Sequence, residues 1–182
     1  TIRFGQDVNH TLTAAELQGL DIVILDRLTH VYSAGERDIL QNFVESGGGL
    51  ITMAGYTNSQ VDLDQQNSLT SAAGLQYIQP IYLDPVEELY PHPITTGVSG
   101  VQFYGGWRVE AIAPTVMGDV FMSLSGSPGD PLGVAQTVGS GRAIVYGDEW
   151  ISFDSEWSTI PGVQTFWVNA VAWVKQCVLV PE

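Results

Sequence analysis

The sequence predicts an α/β fold in which a mostly parallel sheet is flanked by helices. Residues 20–25 and residues 50–54 form two short, almost continuously aliphatic runs, as expected for strands that are covered on both faces. Between them, Ile39, Leu40, Phe43 and Val44 recur at helical spacing. A helix that connects two such strands is a βαβ unit, which places the strands in parallel.

The boundaries of the first helices are marked by local signals. Residues 13–16 (Thr-Ala-Ala-Glu) and 33–36 (Ser-Ala-Gly-Glu) both fit the capping box, in which a hydroxyl and a carboxylate satisfy orphan backbone N–H groups. The first pattern predicts a short helix that ends near Gly19, and the second predicts the helix of the βαβ unit. Three glycines at 47–49 end that second helix, since glycine adopts the left-handed conformation found at helix C-termini.

The second half of the chain predicts further strands and a terminal helix. Residues 61–93 are rich in Gln, Asn, Pro and Asp, and we interpret them as an excursion with short strands around Ile78 and Ile81. Residues 121–124, 132–138 and 142–146 have strand patterns, and the turn at 139–141 predicts an antiparallel hairpin between the last two. Pro161 marks the start of a helix over 163–176. The order of elements predicts a three-layer, flavodoxin-like arrangement in one domain, residues 1–182.

Composition excludes several classes of function. The 182 residues carry 6 Lys and Arg against 20 Asp and Glu, a formal net charge of -14, which repels nucleic-acid phosphates and anionic lipid surfaces. No apolar run is long enough for membrane insertion. The single cysteine, Cys177, excludes an internal disulfide and a thiolate metal cluster. We expect no cofactor and no metal site.

The compartment is predicted from the same composition. Scarce lysine and high acidity are common in exported proteins, so we favour an extracellular or cell-surface location, with the cytoplasm as the alternative.

Several segments resemble a known family. They are LDIVILD at 20–26, FVESGGGLITMAG at 43–55, HPITTGV at 92–98 and VGSGRAIVYGDEW at 138–150, followed by FWVNAVAWV at 166–174. In this order the chain resembles the class I glutamine amidotransferase-like superfamily, particularly its divergent members in bacterial surface and trehalose-utilisation-like proteins. The resemblance implies a cysteine nucleophile at the turn after residues 50–54, with a histidine and an acidic partner late in the chain.

The expected catalytic residues are missing from those positions. The turn reads Gly-Tyr-Thr-Asn-Ser at 55–59, and no histidine follows His92. Attack on an amide needs an activated nucleophile with a base in hydrogen-bond reach. We therefore expect a non-catalytic amidotransferase-like domain that acts as a binding or assembly module in a larger, exported bacterial protein.

Two sets of candidate residues follow. Thr57 and Ser59 are weak candidates for a hydroxyl nucleophile, with His92 as a weak candidate base, although such hydroxyls more often satisfy turn backbone groups. Ligands of open α/β sheets bind beyond the carboxyl ends of strands. The residues that we expect there are Tyr56, Asn58, Asp148, Glu149, Trp150 and Asp154.

An alternative function uses part of the same set. His92 together with Asp148 or Glu149 would suit a hydrolase or a carbohydrate-processing enzyme. For the non-catalytic reading, the expected partners are another protein or other domains of the same polypeptide, with carbohydrate as a further ligand class. Relatives open with an additional central strand, whereas only Ile2-Arg3-Phe4 precedes the first capping box here. The open strand edge that results would favour an oligomer.

Overall fold

The computed structural model describes residues 10–57, 59–82, 87–113 and 118–176. The helices are α1 (Ala14–Leu17), α2 (Ala34–Glu45), α3 (Gln60–Thr70), α4 (Asp154–Thr159) and α5 (Pro161–Val174). The strands are β1 (Ile22–Asp26), β2 (Gly49–Met53), β3 (Leu75–Tyr82), β4 (Glu87–Leu89), β5 (Gly105–Ala111), β6 (Asp119–Leu124), β7 (Ser127–Val138) and β8 (Gly141–Tyr146).

Six of these strands form a mixed sheet. Its order is β1-β2-β8-β7-β6-β4, and β3 and β5 form a separate antiparallel pair. The pairs β1–β2 and β2–β8 are parallel, whereas β8–β7, β7–β6 and β6–β4 are antiparallel. Four of the six strands consequently run in one direction, and the α/β class with its late β7–β8 hairpin is confirmed.

The βαβ unit of β1, α2 and β2 forms where the sequence predicts it. Both predicted capping boxes are present, at Thr13 and Ser33, and Gly47 has a φ of 112° just after α2. Leu40 and Val44 are fully buried, so the apolar stripe of α2 is the side that faces the sheet. The terminal helix α5 forms as predicted, but it begins at Pro161 and ends at Val174, whereas the predicted range was 163–176. Proline is tolerated in the first turn because its missing N–H has no partner there.

Both faces of the sheet are covered. Ile51 and Ile144 lie in a core cluster with Phe166 and Ala170 of α5. Leu50 and Val145 point to the other face, where residues of α2, α3, β3 and β5 cover them. Adjacent strand residues thus enter opposite cores, which explains why every residue of β2 is buried.

Two expectations about individual elements are wrong. The excursion over 61–93 contains the helix α3, which we did not predict, and a single strand β3 instead of two short ones around Ile78 and Ile81. Strand β1 is not covered on both sides: it is an edge strand of the described sheet, and Ile24 is 51% exposed. An aliphatic run does not distinguish a central strand from an edge strand, because it reports only average hydrophobicity.

Candidate functional site

The carboxyl ends of three parallel strands meet at one edge of the sheet. The register aligns Asp26 of β1 with Met53 of β2, and Met53 with Tyr146 of β8. The segments that follow these strands therefore leave the sheet side by side. This is the edge at which open α/β sheets bind ligands.

A carboxylate covers the turn after β2. A Cβ atom added to Gly55 would lie 2.4 Å from both Cδ and Oε1 of Glu149, so a larger residue would require this carboxylate to move. Trp107 of β5 donates its indole N–H to the Gly55 carbonyl oxygen at 3.0 Å. The first residue of the turn is thus held between a buried indole and a buried carboxylate.

The Glu149 carboxylate is only partly compensated. Its Oε2 atom lies 3.1 Å from Nε of Arg27, but it accepts no hydrogen bond from the described residues. The Glu149 side chain is 7% exposed, whereas that of Arg27 is 72% exposed and mostly in solvent. Burial raises the pKa of Glu149, while the Arg27 charge acts in the opposite direction. Arg27 also has a φ of 48°, an uncommon conformation for a residue with a Cβ.

The two hydroxyls that we weighed as nucleophiles belong to the start of α3. Thr57 donates its hydroxyl to Oδ2 of Asp62 at 2.8 Å and accepts the N–H of Ser59 at 3.0 Å. The Ser59 hydroxyl accepts the N–H of Asp62 as the N-cap of α3. Neither hydroxyl bonds to a histidine, and both serve local backbone structure.

These elements enclose a cleft of about 350 Å³. Its lining residues come from the segment after β1, the turn after β2 and the first two turns of α3: Arg27, Leu28, Thr29, Gly55, Tyr56, Thr57, Asp62, Gln65 and Gln66. Tyr56, a predicted ligand-binding residue, lines the cleft and is 39% exposed. Asn58 lies outside the described residues.

Gln66 is the unexpected member of the cleft. The residue is only 6% exposed, and its Oε1 atom is buried without a hydrogen-bond partner among the described residues. A buried amide oxygen in this state is destabilising unless something else satisfies it. Sequence reasoning missed Gln66 and Arg27: the helix that positions Gln66 was not predicted, and an isolated arginine after a strand carries no distinctive signal.

Asp148 does not line the cleft, contrary to our expectation. The residue is fully buried: one carboxylate oxygen accepts the N–H of Trp150 at 2.9 Å, and the other accepts the N–H of Tyr104 at 3.1 Å. The rings of Tyr104 and Trp150 pack against each other with 4.7 Å between their centroids. Burial raises the pKa of Asp148 to about 7, although the N–H donors partly offset this. Asp148 therefore joins two loops; Asp154, also predicted as a ligand residue, is exposed in the first turn of α4.

His92 lies at the opposite end of the sheet. Its Nδ1 accepts the N–H of Ile94 at 3.1 Å, and its ring contacts Trp173 with a centroid distance of 5.3 Å. Trp173 in turn contacts the guanidinium of Arg142 near the start of β8. Asp148 follows the other end of β8. At about 3.3 Å per residue, the two ends of this six-residue strand are about 20 Å apart. The structure therefore does not bring His92 together with Asp148 or Glu149, as the alternative enzyme would require.

Two further observations concern metal binding and membrane insertion. Among the described residues, no group of three or more His, Cys, Asp and Glu side chains is arranged to hold a metal ion. None of the helices in the described part of the chain has the length and apolarity needed to cross a bilayer. Cys177 lies outside the described residues.

Comparisons with known proteins show similarity of fold. No family model matches the chain, and no curated protein matches it in sequence. A cytoplasmic protein of Salmonella typhimurium, STM3548, superposes with a TM-score of 0.69 at 16% identity, over 92% of this chain and 76% of that chain. The N-terminal domain of mmIFT52 gives a TM-score of 0.68 at 17% identity, over 94% and 84%.

Larger enzymes contain a similar fold as one part. The β-galactosidase of Rahnella sp. R3 gives a TM-score of 0.58 at 15% identity, and the match covers 91% of this chain but 25% of that enzyme. At such identities the comparisons establish the fold and assign no activity.

Proposed function

We propose that this chain is a non-catalytic binding domain on a scaffold that resembles the class I glutamine amidotransferases. The observation that carries this proposal is the Glu149 carboxylate over Gly55. In the family that the chain resembles, a nucleophile stands in the turn after this strand. Here the start of that turn is covered by a buried acid.

The neighbouring hydroxyls add support. The Thr57 hydroxyl donates to the Asp62 carboxylate and accepts the N–H of Ser59, and the Ser59 hydroxyl accepts the N–H of Asp62 in the first turn of α3. A hydroxyl nucleophile needs a base within about 3 Å. His92, which was our candidate base, contacts Trp173 near the opposite end of β8. The hydroxyls therefore have a structural role that explains their presence.

The cleft has the features of a ligand-binding site, which supports a binding function for the domain. It lies at the carboxyl ends of parallel strands, has a volume typical of small-ligand sites and contains a buried acceptor without a partner. The ligand is a group on a protein partner or on another domain of the same polypeptide, with a carbohydrate as the second class. The formal charge of -14 argues against nucleic acids.

The compartment stays a prediction. Composition favours export, whereas two of the structural neighbours are named as cytoplasmic proteins of Salmonella typhimurium. At 16% and 17% identity these names do not decide between the two.

The test is turnover by the purified chain. We expect no hydrolysis of glutamine, simple amides, simple esters or aryl glycosides above a buffer control. A rate that disappears in Thr57→Val or Ser59→Ala, while circular dichroism shows an intact fold, would overturn the proposal. Because both hydroxyls also stabilise α3, each variant is compared with Ser33→Ala, which removes the equivalent cap of α2.

A further inference from the structure

Two buried acceptor atoms belong to residues at the wall of the cleft. Gln66 lines the cleft, and Glu149 contacts two residues of its wall, Gly55 and Arg27. Oε1 of Gln66 and Oε2 of Glu149 are both buried without a hydrogen bond from the described residues, and Oε2 has only its ion pair with Arg27. As whole residues, Gln66 and Glu149 are each 6% exposed. A buried polar atom without a hydrogen bond destabilises the protein, so a ligand that donates to this atom binds more tightly.

The charges around the cleft select the kind of donor. Asp62 lines the cleft, Glu149 lies against Gly55, and Asp26 directly precedes Arg27. The set contains three carboxylates and one guanidinium, that of Arg27, whose charge acts on Asp26 and Glu149. An anionic ligand is repelled by this set and by the overall charge of -14. A cationic donor satisfies the acceptors and also reduces the repulsion between the carboxylates.

Arg27 is itself a cationic group next to one of these acceptors. Its Nε is 3.1 Å from Glu149 Oε2, yet the geometry does not make a hydrogen bond and 72% of the side chain is exposed. An ion pair with one partner in solvent contributes little, so exchanging it for a better aligned cation is favourable. The arginine also lines the cleft, which means that it competes directly with any cation that enters.

We infer that the cleft binds a nitrogen cation, an alkylammonium or a guanidinium group, which donates to Gln66 Oε1 and Glu149 Oε2 and displaces Arg27. The inference rests on the proposed binding function and names the ligand class for that site. The same group occurs on a free polyamine and on a lysine or arginine side chain of a protein partner. The test below separates these two sources.

The first arm of the test uses matched ligands on the wild-type chain. Isothermal titration at low salt compares agmatine with putrescine, and putrescine with butane-1,4-diol, which has hydroxyls in place of the ammonium groups. A second pair compares Nα-acetyl-arginine methylamide with its neutral citrulline analogue. We expect binding of the cations only. Tighter binding of the free amines indicates a polyamine, and tighter binding of the arginine derivative indicates a side chain of a partner.

The second arm uses variants of the cleft. Gln66→Met removes the acceptor at similar volume, and we expect at least about tenfold weaker cation binding, the value of a hydrogen bond to a charged group. Glu149→Gln should weaken binding similarly, whereas Arg27→Gln should strengthen it by removing the competitor. Asp38→Asn and Arg37→Gln alter an exposed ion pair on α2 and serve as charge-matched controls that leave binding unchanged.

Several results would overturn the inference. They are equal binding of putrescine and the diol, no binding of any cation, or unchanged cation affinity in Gln66→Met. The wild-type comparison does not depend on whether a variant folds. Failure here with no turnover in the preceding assay leaves the proposed binding function standing, whereas turnover that depends on Thr57 or Ser59 refutes the binding function itself.

Discussion

Gly55 and Glu149 are in contact so close that a single methyl group on the glycine would overlap the carboxylate. The two residues follow neighbouring parallel strands, β2 and β8, and the contact joins the ends of these strands. It also places a buried carboxylate beside the turn that follows β2.

The first prediction follows from this contact. Gly55→Ala should lower the free energy of unfolding by about 1–3 kcal/mol, because the new methyl group displaces a buried side chain. In a Glu149→Ala background the same change should be nearly neutral, since the overlap is gone. Urea denaturation of both single variants and the double variant measures the coupling. Gly35→Ala is the control: its Cβ meets only the Ser33 hydroxyl at 4.0 Å, and alanine favours the helix. Additive effects at Gly55 and Glu149 would contradict the proposed contact.

The second prediction concerns the pH dependence of stability. Asp148 has a pKa of about 7 in the folded protein, above the value of an exposed aspartate, so the folded state binds the proton more tightly than the unfolded state does. Its stabilising contribution is complete at pH values below the unfolded pKa and is lost as the pH rises through about 7. Since the pKa is about 7 in the folded protein and 3.8 for an ordinary aspartate, that loss should be about 4 kcal/mol.

Asp148→Asn removes this dependence. The free energy of unfolding of the wild type minus that of the variant should therefore fall as the pH rises from about 5 to 8. Taking the difference cancels the other titrating groups, which both proteins share. A difference that grows with pH would mean that the N–H donors from Tyr104 and Trp150 outweigh burial and hold the carboxylate in its charged form.

The third prediction tests the cap of α3. Ser59→Ala should lower the free energy of unfolding by about 1 kcal/mol, because the N–H of Asp62 loses its acceptor, and Ser59→Gly should lower it less. Ser33→Ala should be at least as destabilising, since Ser33 belongs to a complete capping box. Chemical denaturation of the three variants provides the comparison. Full stability of Ser59→Ala would show that its hydroxyl has no capping role.

The fourth prediction assigns His92 a structural role. His92→Ala removes the acceptor for the Ile94 N–H and the ring that contacts Trp173, so it should destabilise the fold by about 1–3 kcal/mol. The tryptophan emission should change as well, because Trp173 loses a neighbour. Cation binding at the cleft should be unchanged, since His92 lies near the other end of β8. Weaker cation binding in a folded His92→Ala protein would contradict the separation of the two regions.

The elements with strong local signals were predictable from sequence. The capping boxes at Thr13 and Ser33 begin helices, and the stripe that includes Leu40 and Val44 is buried. The hairpin of β7 and β8 also forms as its turn glycines indicate. In each case interactions between residues that are close in sequence determine the local structure, so the sequence pattern was enough to predict it.

Helix α3 shows where such reasoning ends. It buries Leu63, Gln66, Leu69 and Thr70, so two of the four inward positions are polar and no apolar stripe is visible. The role of Gln66 as a lining residue of the cleft could not be predicted for the same reason. Only the strands and loops around the helix determine that this face is buried.

The roles of Asp148 and His92 required three-dimensional information as well. A carboxylate after a strand has the same sequence pattern whether it faces a cleft or backbone N–H groups. Asp148 faces the N–H groups of Tyr104 and Trp150, whereas its neighbour Glu149 turns towards Gly55. Tertiary contacts, which pair segments far apart in the chain, decide between the two.

The pairing of β2 with β8 has a consequence for biosynthesis. Its register joins Met53 to Tyr146, so the ribosome must release all the intervening residues before β2 meets its second neighbour. During that interval β2, all five residues of which are buried in the folded protein, has an unpaired edge in the nascent chain. Long-range closure of this kind slows folding. The chain should accordingly depend on chaperones during synthesis, and its refolding yield should fall as the protein concentration rises.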